Sequence, residues 1–353
     1  SNAVYHLLNE LTKDGKTTFL VVEPAKGEYK HIFGNERAAV YGTNPALTPL
    51  LRINPFAFPE GIHILEHIDR LVEIFNACWP MYAAMPAVLK DSVERVYENA
   101  GWDLRESVNP KETLPTFFDL MNVLPDVIKE SGYSNDTQSD YIGSLYTRVK
   151  SLTNGIYGSV FCAESTLTDE ELFDRNVIVD LSRVGSMETK SLVMGILVMK
   201  LQEYRMCSGM MNSELRHVTV LEEAHNLLRR TSDVQTQEGA NLQGKSVEML
   251  ANAIAEMRTY GEGFIIADQA PGLLDASVIR NTNTKIILRL PDEEDRKLVG
   301  KAAALNEAQI DELAKLPVGV AVVYQNNWPE AILCKMERYP APQMPYHKPA
   351  AGK

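Results

Sequence analysis

The sequence lacks an excess of basic residues: 35 lysines and arginines stand against 47 aspartates and glutamates, for a formal net charge of -12 at pH 7. No broad basic field therefore marks the chain as a nucleic-acid-binding protein. DNA is not excluded as a partner, because a ring of subunits can focus a few basic loops into one channel. The remaining composition, 45% apolar and 23% charged over 353 residues, is that of a globular protein with one large or two modest domains.

Cysteine pairs and long apolar runs are also missing. The four cysteines show no C-x-x-C spacing, which favours free thiols in a reducing compartment over a disulfide framework. The longest apolar run, residues 192–199, is interrupted by Gly195 and is far too short to span a bilayer. With no visible signal peptide, we expect a cytoplasmic protein that has no membrane partner. The first three residues resemble the remnant of a removed tag, so we expect native sequence to begin at Val4 and the chain to be a fragment.

Strand and helix patterns alternate at both ends of the chain, and no internal repeat occurs. Apolar runs predict strands at residues 19–22, 177–181, 218–221, 264–267, 285–290, 318–324 and 331–335. Helical spacing predicts helices at residues 4–11, 62–77, 191–205, 224–230, 246–260 and 293–303. We therefore expect an α/β fold with a mainly parallel sheet flanked by helices. Residues 59–175 are mainly helical and are predicted to be an insertion or subdomain, and the Pro-rich tail is predicted to be unpacked or a connector.

Two adjacent carboxylates, Glu222 and Glu223, directly follow the apolar strand 218–221. The carboxyl end of a buried parallel strand is where open α/β sheets bind their ligands. One carboxylate can hold hydrated Mg²⁺ while a second polarises an attacking water, and adjacent strand residues point to opposite sides. The pair therefore predicts the acidic half of a nucleotide-hydrolysing site, and a solvated strand end is the alternative.

A glycine-rich segment at residues 239–246, G-A-N-L-Q-G-K-S, satisfies the phosphate-loop pattern G-x-x-x-x-G-K-[ST]. That motif requires a buried strand before the loop, so that backbone N–H groups and a helix N-terminus face the phosphates. Residues 229–238 contain no apolar run, and the segment follows the acidic strand rather than preceding it. We therefore favour a glycine loop that caps the start of helix 246–260.

A second motif, formed by His63, Glu66 and His67, matches the zinc-peptidase signature H-x-x-E-H. On helix 62–77 both histidines are predicted on the polar face. A solvated or interface face is the favoured interpretation, and a metal site is the alternative.

Two further residues stand out on weaker grounds. Gln269 follows strand 264–267, where an amide can hydrogen-bond a γ-phosphate or its attacking water, and a turn residue before Pro271 is the alternative. Arg258 ends a helix and is, in isolation, a solvated cation near a helix C-terminus.

Taken in order along the chain, these stretches resemble the HerA–FtsK superfamily of ring-forming DNA-pumping ATPases, and in particular its HerA-like bacterial branch. The stretches that carry the resemblance are FLVVEPAKGEY, INPF, VIVDLS, VTVLEEAHNLL, GKSVEMLANAIAEMRTYGEGFIIADQ and NTKIILRLPDEEDRKLVG. Each is weak alone, but the ordered series covers most of residues 4–335.

The resemblance implies a RecA-like core that uses ATP and Mg²⁺, assembles into a ring, expected to be a hexamer, and acts on DNA, with a nuclease as a further partner. It implies that Glu222 is the Mg²⁺-side Walker B acid, Glu223 the water-activating glutamate and Gln269 the sensor. Arg258 then resembles the arginine finger offered to a neighbouring subunit. Residues 4–58 and 176–336 would be the two parts of the ATPase core, around the insertion 59–175 and before the tail 337–353.

One departure from the family limits what this chain can do. The family's phosphate loop, Walker A, immediately precedes the helix that corresponds to residues 4–11, and this sequence has neither that loop nor its strand. The phosphate-binding residues are therefore unknown. We expect an empty or rearranged position in the sheet, weak ATP binding and no activity of the fragment. Two alternatives stay open: a conjugation or type IV secretion ATPase, which shares the fold and the Asn54-Pro55-Phe56 motif, and a non-hydrolysing scaffold.

Overall fold

The computed structural model describes residues 1–35, 37–207, 210–231, 242–340 and 345–349. The strands are β1 (Thr18–Glu23), β2 (Ala39–Gly42), β3 (Val177–Asp180), β4 (His217–Glu222), β5 (Glu262–Ala267), β6 (Thr284–Ile287), β7 (Val320–Gln325) and β8 (Ile332–Lys335). Each strand predicted from an apolar run is present. β2 was not predicted, because its sequence A-V-Y-G contains Ala and Gly, which are depleted in strands, and only one β-branched residue.

Helices occupy most of the remaining described chain. They are α1 (Asn2–Leu11), α2 (Tyr29–Phe33), α3 (Ile64–Cys78), α4 (Met85–Asn99), α5 (Phe117–Glu130), α6 (Asn135–Tyr141), α7 (Thr147–Thr153), α8 (Gly155–Phe161), α9 (Asp169–Phe173), α10 (Met187–Cys207), α11 (Leu242–Glu256), α12 (Ala276–Asn281), α13 (Glu293–Ala302) and α14 (Glu307–Glu312). A π-helical turn, Ile142–Tyr146, joins α6 to α7. None of the described helices is both long and apolar enough to cross a membrane.

A five-stranded parallel sheet forms the centre, in the order β2-β3-β1-β4-β5. The strands β6, β7 and β8 form a separate antiparallel sheet. The predicted mainly parallel sheet is therefore confirmed. Among the described strands, β5 hydrogen-bonds only to β4, so one of its edges is open.

Both faces of the central sheet are covered by helices. On β1, Leu20 and Val22 point into a large core shared with α3, α4, α5 and α10, whereas Phe19 and Val21 point to the side of α1 and α2. Alternate residues of one strand thus serve two cores, as the period of two requires. α3 and α10 approach closely at Gly195, where an added Cβ would lie 2.8 Å from Ile74 Cγ2.

Two local predictions are wrong. Residues 224–230 were predicted to be a helix, but only a 3₁₀ turn, Ala224–Asn226, forms there. The helix does not continue, because Arg229 pairs with Leu274 in an isolated β-bridge. The tail was predicted to be unpacked or a connector, yet Tyr339 packs its ring edge-on against Tyr5, 5.8 Å away, and donates its backbone N–H to Asn2 Oδ1. Residues 341–344 and 350–353 lie outside the described chain.

A buried ionic network fixes the N-terminal ends of β4 and β5. The Glu262 carboxylate is fully buried, accepts a hydrogen bond from Thr219 Oγ1 at 2.8 Å and lies 2.7 Å from His217 Nδ1. Arg205 Nε of α10 donates to its other oxygen at 3.2 Å. Burial raises the pKa of Glu262, but His217, Arg205 and Thr219 together hold that pKa below its usual value. The network therefore ties three elements together at the edge of the sheet opposite the strands' carboxyl ends.

We predict that Glu262→Gln lowers the free energy of unfolding by about 3 kcal/mol, because it removes the buried carboxylate that faces His217 and Arg205 Nε, while Arg205 keeps its ion pair with Asp174. Urea unfolding checks this, with Glu256→Gln on the exposed end of α11 as the matched control. Equal midpoints for the two variants would mean that the network contributes nothing to stability.

Candidate functional site

Carboxylates line the carboxyl edge of the central sheet. In the register of the parallel strands, Glu23 at the end of β1 is paired with Asp180 at the end of β3. On the other side of β1, Val22 is paired with Leu221, so Glu222 follows at the level of Glu23. Asp268 comes directly after Ala267, which is the partner of Glu222 on β5. Four neighbouring strands thus deliver acidic side chains to one edge, where open parallel sheets bind ligands.

The predicted pair Glu222-Glu223 divides between two environments. Glu222 is the last residue of β4 and accepts a hydrogen bond from the Tyr29 hydroxyl. Glu223 leaves the strand in a left-handed conformation, with φ 46° and ψ 50°. This conformation is uncommon for a residue with a side chain. Its carbonyl oxygen accepts from the backbone N–H and the side-chain Nδ2 of Asn226, which holds the turn.

Gln269 lies against Glu223, where the sequence predicted a sensor. Its side-chain Nε2 donates to Glu223 Oε1, and Gln269 itself is exposed. The carboxylate at the end of β4 and the amide after β5 are therefore in direct contact. The role of each residue stays a prediction.

Glu23 is an additional site residue that the sequence analysis did not single out. It is 3% exposed and accepts backbone hydrogen bonds from Glu28 at 2.7 Å and Tyr29 at 3.2 Å. Burial raises its pKa to about 7, and the charges of Asp180 and Glu222 add to the rise, against these two hydrogen bonds, which lower it. A carboxyl group that titrates near neutrality lies at the centre of this edge.

A lysine compensates one of the carboxylates. Lys30 Nζ donates to Asp180 Oδ2, and both side chains are largely buried. Burial raises the pKa of Asp180, but Lys30 and Ser182 more than offset this and keep it below its usual value. The turn before α2 allows the approach, because Gly27 has φ +70° and an added Cβ would lie 2.9 Å from Ser182 Oγ and 3.1 Å from Lys30 Nζ.

The N-terminus of α1 faces the same edge. Tyr5, in the first turn of α1, packs edge-on against Tyr29 with ring centroids 4.9 Å apart, and Tyr29 bonds to Glu222. Burial raises the pKa of Tyr5, and Glu28, Glu23 and Glu222 contribute to the rise. The first turn of α1 is thus linked to Glu222 through two tyrosine side chains, and the N-terminal end of a helix is suited to an anion.

The chemistry of this edge fits a hydrated Mg²⁺ ion. Mg²⁺ prefers one or two carboxylate oxygens together with water and phosphate oxygens. Asp180, Glu23 and Glu222 lie side by side, and within the described part of the chain Lys30 is the cation paired with one of them. Glu222 is partly exposed, and its role as the Mg²⁺ ligand, which the family resemblance implies, stays a prediction.

Asp268 and His225 make a second polar group next to Glu223. Asp268 Oδ2 accepts the backbone N–H of His225 at 2.9 Å and lies 2.8 Å from the imidazole Nδ1. The same nitrogen is 3.8 Å from Glu223 Oε2. Ligand atoms of Glu223, His225 and Asp268 all lie within 4.8 Å of one another.

Arg258 is not brought to these residues. It lies in the 3₁₀ turn Met257–Tyr260 before β5, whereas Asp268 and Gln269 follow the end of that strand. A six-residue strand is about 20 Å long, so the exposed Arg258 lies near the opposite edge of the sheet. Within one chain, Arg258 therefore cannot reach a ligand that lies beside Glu222.

The glycine-rich segment 239–246, disfavoured as a phosphate loop, contributes to helix packing. Its positions 239–241 lie outside the described residues, and α11 begins at Leu242, four residues earlier than predicted. The Ser246 hydroxyl is buried and donates to Glu73 Oε2 at 2.6 Å, so it packs α11 against α3.

The prediction for His67 was wrong. His67 is fully buried rather than on a polar face, lies 3.0 Å from Glu203 Oε2 and stacks on Phe58. The buried Glu203 of α10 gives it a partner inside the core. His63 instead accepts the N–H of Leu65 and caps α3.

Glu23 and Asp180 were missed although a signal was present. A run of apolar residues directly precedes each of these acids, as it precedes Glu222 and Asp268. A repeated acid at the end of successive buried strands predicts one shared edge. Tyr29 and Lys30 carry no comparable signal, because their partners lie 193 and 150 residues away in the sequence.

We predict that the free energy of unfolding of Glu23→Gln rises relative to that of wild type by up to about 3 kcal/mol between pH 4 and pH 8. The pKa of Glu23 is about 7 in the folded protein, whereas the usual value for a glutamate is 4.5. Between these two pH values, Glu23 is protonated in the folded state and ionised in the unfolded state. Its contribution is full below about pH 4.5 and is lost as the pH rises to 7. Unfolding curves of both proteins without divalent cations check this, with the exposed Glu60→Gln as control. A constant difference between wild type and Glu23→Gln from pH 4 to 8 would contradict it.

Parts of the chain are similar in sequence to curated proteins. A probable DNA double-strand break repair helicase HerA from Methanocaldococcus jannaschii is 34% identical over 105 residues, which is 30% of this chain and 19% of that protein. The DNA double-strand break repair helicase HerA from Saccharolobus solfataricus is 22% identical over 240 residues, 67% of this chain and 45% of that protein. The chain therefore spans less than half the length of these relatives. No protein-family model matches it.

Solved structures match nearly the whole chain. VirB4 of Thermoanaerobacter pseudethanolicus matches with a TM-score of 0.70 and 18% identity, over 96% of this chain and 86% of that one. The plasmid coupling protein TrwB in complex with ADP and Mg²⁺ matches with a TM-score of 0.62 and 12% identity, over 96% and 83%. At these identities the likeness is one of fold.

Sequence and fold comparisons agree with the resemblance drawn from the ordered motifs. The predicted RecA-like architecture, a mainly parallel sheet flanked by helices, is confirmed. The chain is thus similar in sequence to HerA helicases and in fold to VirB4 and TrwB, in line with the HerA–FtsK resemblance.

Proposed function

We propose that this chain is the ATPase core of an ATP-driven DNA translocase or helicase. The single observation that carries the proposal is the acidic carboxyl edge of the parallel sheet, with Glu222 and Glu223 at its centre and the N-terminus of α1 beside it. A phosphate chain with its Mg²⁺ ion complements such an edge, because the helix dipole attracts the anion and the carboxylates attract the cation.

The two adjacent glutamates have different tasks in this proposal. Glu222 would hold a hydrated Mg²⁺ ion, which would neutralise charge that develops on the phosphates. Glu223, which its backbone turns away from the strand, polarises the water that attacks the γ-phosphorus. Gln269 donates to Glu223 and is therefore placed to respond when a γ-phosphate is present or lost. Glu23 adds negative charge on the Mg²⁺ side.

The phosphate-binding half of the site is proposed to come from a strand and loop that precede Val4. Two features of the described chain support this. First, β5 is one of the two edge strands of the sheet, yet its Phe264, Ile265 and Ile266 form an apolar run of half-buried residues, which is the pattern of an inner strand. In addition, α1 presents its N-terminus to the carboxylates, as a helix that follows a phosphate loop does.

The full-length protein is proposed to work as a ring, with a hexamer as the expected form. Arg258 is too far from Glu223 to act within one chain, but as an exposed cation it can stabilise transition-state charge at a neighbour's site. DNA is the proposed substrate because the curated relatives named above are DNA repair helicases. A nuclease is a proposed partner on the family resemblance alone.

A second candidate is a conjugation or type IV secretion ATPase. The likeness of fold to VirB4 and TrwB extends over 96% of the chain, further than the sequence matches to the helicases. Genome neighbours separate the two candidates: a nuclease gene favours the repair motor, and pilus or mating-pore genes favour the secretion ATPase. A non-hydrolysing scaffold is the third candidate, and an ATPase assay of the full-length protein distinguishes it from the other two.

We predict that this chain alone binds ATP weakly and does not hydrolyse it, since the proposed phosphate loop is not part of it. Isothermal titration with ATP and Mg²⁺ measures this, and the full-length protein serves as the positive control. A stoichiometric complex of this chain with a micromolar dissociation constant would show that the phosphate loop has been mislocated.

We predict that full-length Glu223→Gln and Arg258→Ala proteins are each inactive, and that mixing them partly restores ATP hydrolysis. In a mixed ring some sites combine an intact Glu223 from one subunit with an intact Arg258 from its neighbour. Steady-state phosphate release at several mixing ratios is the measurement, and Arg280→Ala, at the end of α12, is the control variant. Mixtures that stay inactive at every ratio would count against a site shared between subunits.

A further inference from the structure

The loop after β5 holds Glu223 in two ways. Gln269 donates directly to Glu223 Oε1. Asp268, the preceding residue, acts indirectly through His225. It contacts His225 Nδ1, and the same nitrogen lies 3.8 Å from Glu223 Oε2. Gln269 thus contacts one oxygen of the Glu223 carboxylate, and Asp268 positions the histidine next to the other oxygen.

Asp268 is built to hold His225. Its side chain is 3% exposed, and its Oδ2 both accepts the His225 backbone N–H and meets the imidazole Nδ1. Its Oδ1 accepts the backbone N–H of Ala270 at 2.9 Å, which fixes the carboxylate to its own loop. A buried carboxylate with three N–H partners has a fixed orientation and transmits it to the ring it binds.

The same three side chains are close enough to share a metal ion, but their hydrogen bonds favour another arrangement. Asp268 as a carboxylate is only an acceptor, so the nitrogen that faces it, Nδ1, carries a proton and cannot be a ligand. Both oxygens of Asp268 already accept backbone N–H groups. A metal ion could therefore bind His225 only through Nε2, which leaves the hydrogen bond between Asp268 and His225 in place.

We propose that Asp268 and His225 form a positioning couple for Glu223. Asp268 binds both the backbone N–H and the ring of His225, and the ring limits where the Glu223 carboxylate can lie. The left-handed backbone of Glu223 leaves its side chain without support from strand neighbours, so the support comes from the loop after β5. This inference rests on the proposed function of Glu223, and neither residue of the couple touches the reacting atoms.

The test uses the full-length protein with ATP and Mg²⁺, and it compares wild type with His225→Ala, His225→Asn and Asp268→Asn. We expect kcat to fall by about 10- to 100-fold in His225→Ala, the usual range for loss of a supporting partner, while the dissociation constant for ATP changes by less than about 3-fold. His225→Asn places an amide N–H near the position of Nδ1 and should recover most of kcat. The double variant His225→Ala/Asp268→Asn should be no worse than the poorer single variant, because the two residues act in series.

Controls separate this inference from the function on which it rests. His347→Ala, on an exposed histidine remote in sequence, should leave kcat unchanged. If Glu223→Gln hydrolyses ATP as wild type does, the proposed function itself fails. If Glu223→Gln is inactive but His225→Ala retains wild-type kcat, the function stands and the positioning couple is overturned.

Three further outcomes also bear on the positioning couple. Should Asp268→Asn fail to fold, His225→Ala carries the test, because it keeps the backbone N–H bond to Asp268. A wild-type rate that depends on added Zn²⁺ and loses that dependence in His225→Ala would replace the couple with a metal site. Loss of ATP affinity and of kcat in equal proportion would indicate a merely structural role.

Discussion

The register of three parallel strands is the constraint on which the site depends. Because β3, β1 and β4 end together, Asp180, Glu23 and Glu222 are placed side by side with no freedom to separate. Like charges at this spacing repel, and the repulsion contributes to the raised pKa of Glu23. The chain compensates locally, with Lys30 for Asp180, backbone N–H groups for Glu23 and the Tyr29 hydroxyl for Glu222. This compensation leaves net negative charge at the point where a cation is needed.

The rest of the fold holds this edge in place from the other end of the strands. The network of Glu262, His217 and Arg205 joins β4, β5 and α10 at the opposite edge. Between the two edges, apolar residues of the strands fill a core on each face of the sheet. The strands therefore cannot slide relative to one another without exposing apolar surface or parting a buried ion pair. Rigid strands with short turns at their carboxyl ends are the kind of scaffold that holds catalytic groups in fixed geometry.

The sequence predicts the strands well and their partners poorly, for physical reasons. Apolar runs such as that of β4 are long enough to identify a buried strand, and the acids that end them mark the ligand edge. α2 is too short to leave a periodic pattern, so the helix that carries Tyr29 and Lys30 was not anticipated. His67 was predicted on a polar face because helical periodicity reveals only apolar surroundings, and Glu203 lies 136 residues away. A polar residue buried by a distant partner gives no local signal.

The central claim is that the carboxyl edge beside α1 is the hydrolytic site, and that the G-K-S segment of α11 is not. A structure of the full-length protein with a non-hydrolysable ATP analogue and Mn²⁺ in place of Mg²⁺ tests it most directly, because Mn²⁺ is located by its anomalous scattering. We predict the Mn²⁺ peak beside Glu222, with the γ-phosphate between Glu223 and the N-terminus of α1. A triphosphate bound at Lys245 and Ser246, with no metal at Glu222, would contradict the account.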